Sequence, residues 1–238
     1  MADPTPDATA DGRRLRHCFL LAVAFAGMLW VIKLLELALG LDLARFGVYP
    51  GTLRGLAGVF LAPMIHGSLA HLFSNTLPIV ILGTALLYGY PRSAKVVIPV
   101  LYSGTGICVW LFARSAWHIG ASGLTFGMMF FVFTIGVLRW DTRSIALALV
   151  VFLLYGGMIW GVFPGDPSVS FESHLAGALI GITLAVLLKN RDPAPPPKRY
   201  SWEDEEQVPE PEPWPPRDWT EPGPDAQQPG DDAPRPPI

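Results

Sequence analysis

Six apolar runs, each close to bilayer-crossing length, leave this chain few folds to choose from. They cover residues 17–39, 69–89, 94–113, 122–138, 144–163 and 174–189. A helix crossing the hydrocarbon core, roughly 30 Å thick, needs about 20 apolar residues. Backbone groups in that core must be satisfied within the spanning structure, and runs of this length satisfy them as helices. The fourth and sixth runs are short. A short span begins inside the bundle, below the membrane surface, where a water-filled recess can form. The expected fold is an all-α polytopic membrane protein with six transmembrane helices and disordered cytoplasmic tails.

Charge divides the chain in two. Of its 238 residues, 51% are hydrophobic, and the formal net charge is −3. From Asp192 onward there are 15 of the 24 prolines, with 12 acidic and 4 basic residues, so this stretch is near −8. Residues 1–191 hold 13 basic and 8 acidic residues, near +5. The tail is too polar and proline-rich to bury a core. Trp202, Trp214 and Trp219 are its apolar points, suited to a membrane surface or a partner. The expected domains are a polar segment 1–16, a six-helix domain 17–189 and a disordered tail 190–238. A chain cut after Arg191 is expected to keep its function. Cys18 and Cys108 lie in apolar runs without metal-site spacing and read as packing residues. Arg13-Arg14-Leu15-Arg16 before an apolar run imitates a signal peptide, but a small-residue cleavage site is missing, so an uncleaved first span is expected.

The basic residues also orient the spans. Arg13, Arg14, Arg16, Arg92, Lys95, Arg139, Arg143, Lys189 and Arg191 fall at one set of span ends, against Arg45, Arg54 and Arg114 at the other. The positive-inside rule places both termini in the cytoplasm. Ser122 and His174 then share the opposite face. Residues 40–68 form a long connection there, with Phe46, Tyr49, Leu53, Leu56, Val59, Phe60, Leu61 and Ile65 suited to the membrane interface. The 162–173 connection holds two prolines and a glycine and reads as a mobile loop able to cover a site. Lys33 and Glu36 share a face of the first run, where they either pair or snorkel outward.

Polar residues inside spans are the functional candidates, because the bilayer makes them costly. Ser122 opens the fourth run in Gly120-Ala121-Ser122-Gly123, and His174 opens the sixth in His174-Leu175-Ala176-Gly177. A hydroxyl becomes a nucleophile only beside a base, and acyl transfer also needs donors for the developing oxyanion. Ser122 starts a helix, whose first N–H groups are free and carry partial positive charge. Gly123 and Gly127 are four apart, as are Gly177 and Gly181, so each run carries a close-packing stripe. His174 shares the Gly177–Gly181 face, so close approach of the two runs sets it against the helix of Ser122. His71 and Asn75 share a face at the head of the second run, just after His66. Two readings stay open for that pair: donors aimed into the cavity of Ser122, or caps on loop carbonyls. Zinc is not expected, because His66 and His71 are badly spaced for one helix face and HExxH is absent. Two intramembrane aspartates are absent too, since Asp141 and Asp166 fall in loops.

On these residues the chain resembles the rhomboid intramembrane serine proteases, in their basic six-helix bacterial form. The resemblance rests on His66, His71 and Asn75, on Gly120-Ala121-Ser122-Gly123, and on His174-Leu175-Ala176-Gly177, and it spans roughly residues 17–189. It implies a Ser122–His174 dyad, an oxyanion hole made by the Ser122 N–H with His71 and Asn75, and an acyl-enzyme intermediate. It also implies single-span membrane proteins as substrates, no cofactor, no nucleic-acid partner, and a bacterial plasma membrane as the location. His66, Gly120, Gly123, Phe126, Gly177 and Gly181 would support the site. Residues 40–68 lack the family's tryptophan-arginine pair, Phe126 stands where tyrosine is frequent, and Ser173 where alanine is common. The alternative is a catalytically silent relative that binds membrane clients, but such relatives typically lack the serine or the histidine. A channel or transporter would need charges deep in several spans.

Overall fold

The structure, a computed structural model, describes residues 8–193. Among them, six helices are long and apolar enough to span a membrane. They are α1 (Ala8–Ala38), α2 (Leu69–Gly89), α3 (Pro91–Phe112), α4 (Ser122–Arg139), α5 (Thr142–Tyr155, continued to Val162 as a 3-10 stretch) and α6 (Phe171–Leu188). The chain is an integral multi-pass membrane protein. Most of the expected polar tail, including Trp202, Trp214 and Trp219, lies outside the described residues.

Span positions agree closely with the apolar runs, and the differences lie at ends. α1 begins before the apolar run, so Arg13, Arg14 and Arg16 are helical. Leaving the hydrocarbon does not end a helix, and contacts with Tyr88 help hold this extension. Arg14 donates to the Tyr88 carbonyl (2.7 Å), and the Tyr88 hydroxyl donates to Asp11 (2.7 Å). The loop before α6 is shorter than 162–173, because Ser170 caps the helix by accepting from the Ser173 N–H (3.3 Å).

The bundle is built around α4. In α4, 61% of the span is buried, against 17–33% in the others. Its partner α6 approaches at backbone distance. A Cβ on Gly177 would strike the Gly123 carbonyl, and one on Gly181 the Gly127 carbonyl. Gly123 and Gly127 are equally confined, by Thr105 and Ser173 and by Leu101 and Gly177. Without a hydrophobic drive between helices in lipid, such contact surfaces hold spans together. Phe131, Val132 and Ile135 of α4 then fill the core beside Leu82, Leu86, Val97 and Leu101.

The two ends of the bundle are tied differently. At the end away from Ser122, Asp192 is 4% exposed, although it follows the last span. Its carboxylate accepts from Arg92 N–H (2.7 Å), Ser93 N–H (3.0 Å) and the Ser93 hydroxyl (2.6 Å). These N–H groups belong to the first turn of α3, which has no side-chain cap of its own. Asp192 therefore caps α3 from about a hundred residues away, placing negative charge at a helix N-terminus. Arg139 donates to the Asp192 carbonyl (2.7 Å) and to Asp141 (2.8 Å), joining α4 to the same knot. Packed structure thus extends past the expected boundary at 189. At the Ser122 end, residues 39–68 fold into short helical turns against α3. Val48, Val59, Ala62 and Ile65 are buried, whereas Leu53 and Phe60 face outward. Trp110 donates to the Thr52 carbonyl (2.8 Å), Tyr102 to that of Phe60 (2.7 Å), and Val48 pairs with His118 as an antiparallel bridge.

The Asp192 knot adds an expected stability cost to a chain cut after Arg191. Asp192→Ala, and a chain ending at Arg191, should each lose about 2–4 kcal/mol of stability, because three donors lose their acceptor. A chain ending at Pro195 should melt with the full-length protein. Thermal unfolding in one detergent compares all four proteins.

Candidate active site

Gly120 adopts φ +107°, a backbone conformation suited to glycine, and a Cβ there would meet the His71 ring at 2.7 Å. The chain turns sharply at this point, and Ser122 becomes the first residue of α4. Its N–H is therefore one of those with no partner inside the helix. The Thr125 hydroxyl donates to the Ser122 carbonyl (2.8 Å), tightening this first turn.

His174 lies one turn into α6 and is 8% exposed. Its Nε2 stands 2.8 Å from Ser122 Oγ. Its Nδ1 lies 2.9 Å from the Gly161 carbonyl. A carbonyl can only accept, so Nδ1 carries the proton and Nε2 presents its lone pair to the Ser122 hydroxyl. Phe126, one turn beyond Ser122, stacks on the imidazole with centroids 4.0 Å apart and planes 8° from parallel. The ring is thus fixed by a face and by both nitrogens.

His71 and Asn75 line the same cavity as Ser122 and His174, a space of about 930 Å³. Ser68 caps α2 by accepting from the His71 N–H (3.0 Å). The Asn75 amide donates to the His71 carbonyl (2.9 Å), so part of its hydrogen-bonding capacity is spent within the helix. His66 does not line this cavity. It is 1% exposed and packs edge-on against the His71 ring, with centroids 5.0 Å apart. Burial foremost, then the neighbouring His71, pushes the His66 pKa down to about 4, so it is a neutral support for His71 at ordinary pH. Gly120, Gly123, Gly177 and Gly181 act through the close approaches already described, and Phe126 through its stack.

Several participants carry no mark in the sequence. The Gly161 acceptor is a backbone atom, visible only once the 3-10 stretch after α5 is placed. His118 is 4% exposed, with Nε2 3.0 Å from the Arg114 carbonyl and Nδ1 2.6 Å from the Ser170 hydroxyl. Arg114 donates to both Glu172 oxygens (3.1 Å each) and to the carbonyls of Pro167 (2.9 Å) and Val169 (2.8 Å). Together they clip the loop before α6 to the loop before α4. A histidine four residues before Ser122 was the available signal for His118. The clip itself depends on two loops meeting.

The cavity borders exposed apolar surface of the spans. Its walls include Phe73 and Leu77 of α2, 71% and 61% exposed, and Tyr155 and Met158 from the α5 segment. A serine hydroxyl facing an unprotonated imidazole nitrogen, with polar groups opposite, can support acyl transfer.

The family model described as Rhomboid domain matches residues 54–191. An uncharacterized protein of Mycobacterium tuberculosis is 34% identical over 176 residues, covering 70% of this chain and 73% of its own length. An uncharacterized protein of Mycobacterium leprae is 31% identical over 195 residues, 76% of each chain. RHOMBOID-like protein 2 of Arabidopsis thaliana is 27% identical over 146 residues, 58% of this chain and 42% of that protein.

Arg114→Ala should release the loop before α6 while leaving the bundle folded. Limited proteolysis in detergent should then cut within residues 163–170 several-fold faster than in wild type, with the melting temperature little changed.

Proposed function

The chain belongs to the rhomboid family, and on that premise we propose that it is an intramembrane serine endopeptidase. The observation carrying this reading is the 2.8 Å approach of His174 Nε2 to Ser122 Oγ, with Nδ1 held by the Gly161 carbonyl. Ser122 Oγ attacks the scissile carbonyl as His174 Nε2 takes its proton. His174 becomes a cation for that moment, and the Gly161 carbonyl dipole at Nδ1 supports it where an aspartate serves in other serine proteases. The oxyanion develops toward the Ser122 N–H and the side chains of His71 and Asn75. His174 then gives its proton to the leaving amine, and an acyl-enzyme remains on Ser122. Water, deprotonated by the same imidazole, hydrolyses the ester and restores the hydroxyl. The scheme uses the protein's own groups and water.

Substrates are single-span membrane proteins, which would reach the cavity beside Phe73 and Leu77. A peptide segment entering there must leave helical geometry, because a helix hides its carbonyls in its own hydrogen bonds. Helix-weakening residues near the cut are therefore favoured. The basic residues gathered at the Asp192 end favour a cytoplasmic position for that end and both termini under the positive-inside rule. The site then opens toward the outer face of a bacterial plasma membrane.

In liposomes with a generic single-span substrate, Ser122→Ala and His174→Ala should each lower cleavage by about 10³-fold or more. Both variants should keep the wild-type melting temperature. Retained cleavage by Ser122→Ala would contradict the mechanism.

A further inference from the structure

Lys33 and Glu36 of α1 are 6% and 8% exposed, inside a membrane span. They neither snorkel nor point to lipid: Lys33 Nζ donates to Glu36 Oε2 at 2.8 Å. Replacing a buried ion pair with apolar groups of similar volume is often neutral or stabilising. Stability is therefore a poor reason for this pair, and its surroundings suggest another.

The pair is oriented. Glu36 accepts the Leu43 N–H through Oε1 (3.2 Å). Lys33 Nζ, besides its bond to Glu36, contacts the Gly67 carbonyl (3.5 Å). Gly67 lines the cavity and precedes Ser68, whose hydroxyl caps α2 at the His71 N–H. One line of contacts thus runs from Lys33 through Gly67 and Ser68 to the residue expected to bind the oxyanion. The ammonium is the member of the pair on the Gly67 side, and the carboxylate the member on the Leu43 side.

We infer that Lys33 is a positioning residue for the oxyanion hole, its ammonium fixing the Gly67–Ser68 turn beneath His71 and supplying a positive potential behind the His66–His71 pair. Glu36 holds that ammonium in place and neutralises it on the far side. In low dielectric, an oriented positive charge behind the oxyanion hole favours a transition state in which negative charge appears at His71. The ground-state substrate is neutral there, so the effect belongs to turnover and not to binding. The inference rests on the serine protease reading.

The test is cleavage of a single-span substrate in liposomes, with kcat and KM measured separately. Lys33→Met/Glu36→Gln removes both charges and leaves neither one unpaired. It should melt near wild type yet lose about tenfold in kcat, with KM within about twofold. Inhibition by a peptide boronate, whose serine adduct is tetrahedral and anionic, should weaken by a similar factor. Lys33→Arg should keep most of the turnover. The reversed pair, Lys33→Glu/Glu36→Lys, keeps a buried ion pair but inverts its orientation, so it should stay folded and remain slow. Full turnover by the folded double variant would overturn the assignment, and so would recovery by the reversed pair. If the double variant does not fold, the reversed pair and Lys33→Arg decide by the same criteria. Equal cleavage by wild type and Ser122→Ala would instead overturn the protease reading, and this inference with it.

Discussion

The structure depends on how closely α4 and α6 approach. Gly177 and Gly181 lay one backbone against the carbonyls of Gly123 and Gly127, at a separation that even alanine would enlarge. Two residues at the head of these helices, Ser122 and His174, meet only because that seam is closed. The contact is made of dispersion and shape, which is what lipid leaves available for holding spans together. The seam also makes the imidazole's surroundings compact: Phe126 covers a face and the Gly161 carbonyl takes Nδ1.

Around this seam, polar groups at the two ends of the bundle do different work. At the far end, Asp192, Arg139 and Asp141 form a knot that caps α3 and α5 and joins three helices. At the Ser122 end, polar side chains anchor loops against each other: Arg114 with Glu172, His118 with Ser170, and Lys33 with the Gly67 turn. The first arrangement fixes helix ends. The second fixes the surface from which His71 and His174 project. Between the two ends, α4 contributes Leu124, Met128, Met129, Phe131, Val132 and Ile135 to the apolar core.

The spans were legible because a bilayer demands about 20 apolar residues and little else in the chain meets that demand. Ser122, His174, His71 and Asn75 stood out because a polar residue in such a run is costly, and the glycine stripes marked the seam by spacing alone. Asp192 was not legible. In a stretch dense with proline and acid, nothing distinguished Asp192 as a carboxylate that returns to α3. The Gly161 carbonyl was not legible either, since an acceptor on the backbone has no residue type. The early start of α1 was missed because hydropathy reports the membrane, whereas a helix ends where its hydrogen bonds end. Lys33 and Glu36 were visible as a pair, but the direction in which the pair points is set by Leu43 and Gly67, neither of which announces it.

The central claim is that His174 activates Ser122 inside the bilayer. The most direct measurement is covalent labelling of the membrane-embedded protein with a fluorophosphonate, followed by peptide mass spectrometry. The account predicts one adduct, on Ser122, which disappears in a folded His174→Ala variant. An adduct on Ser122 that forms equally fast without His174, or none on Ser122 while another serine reacts, would contradict it.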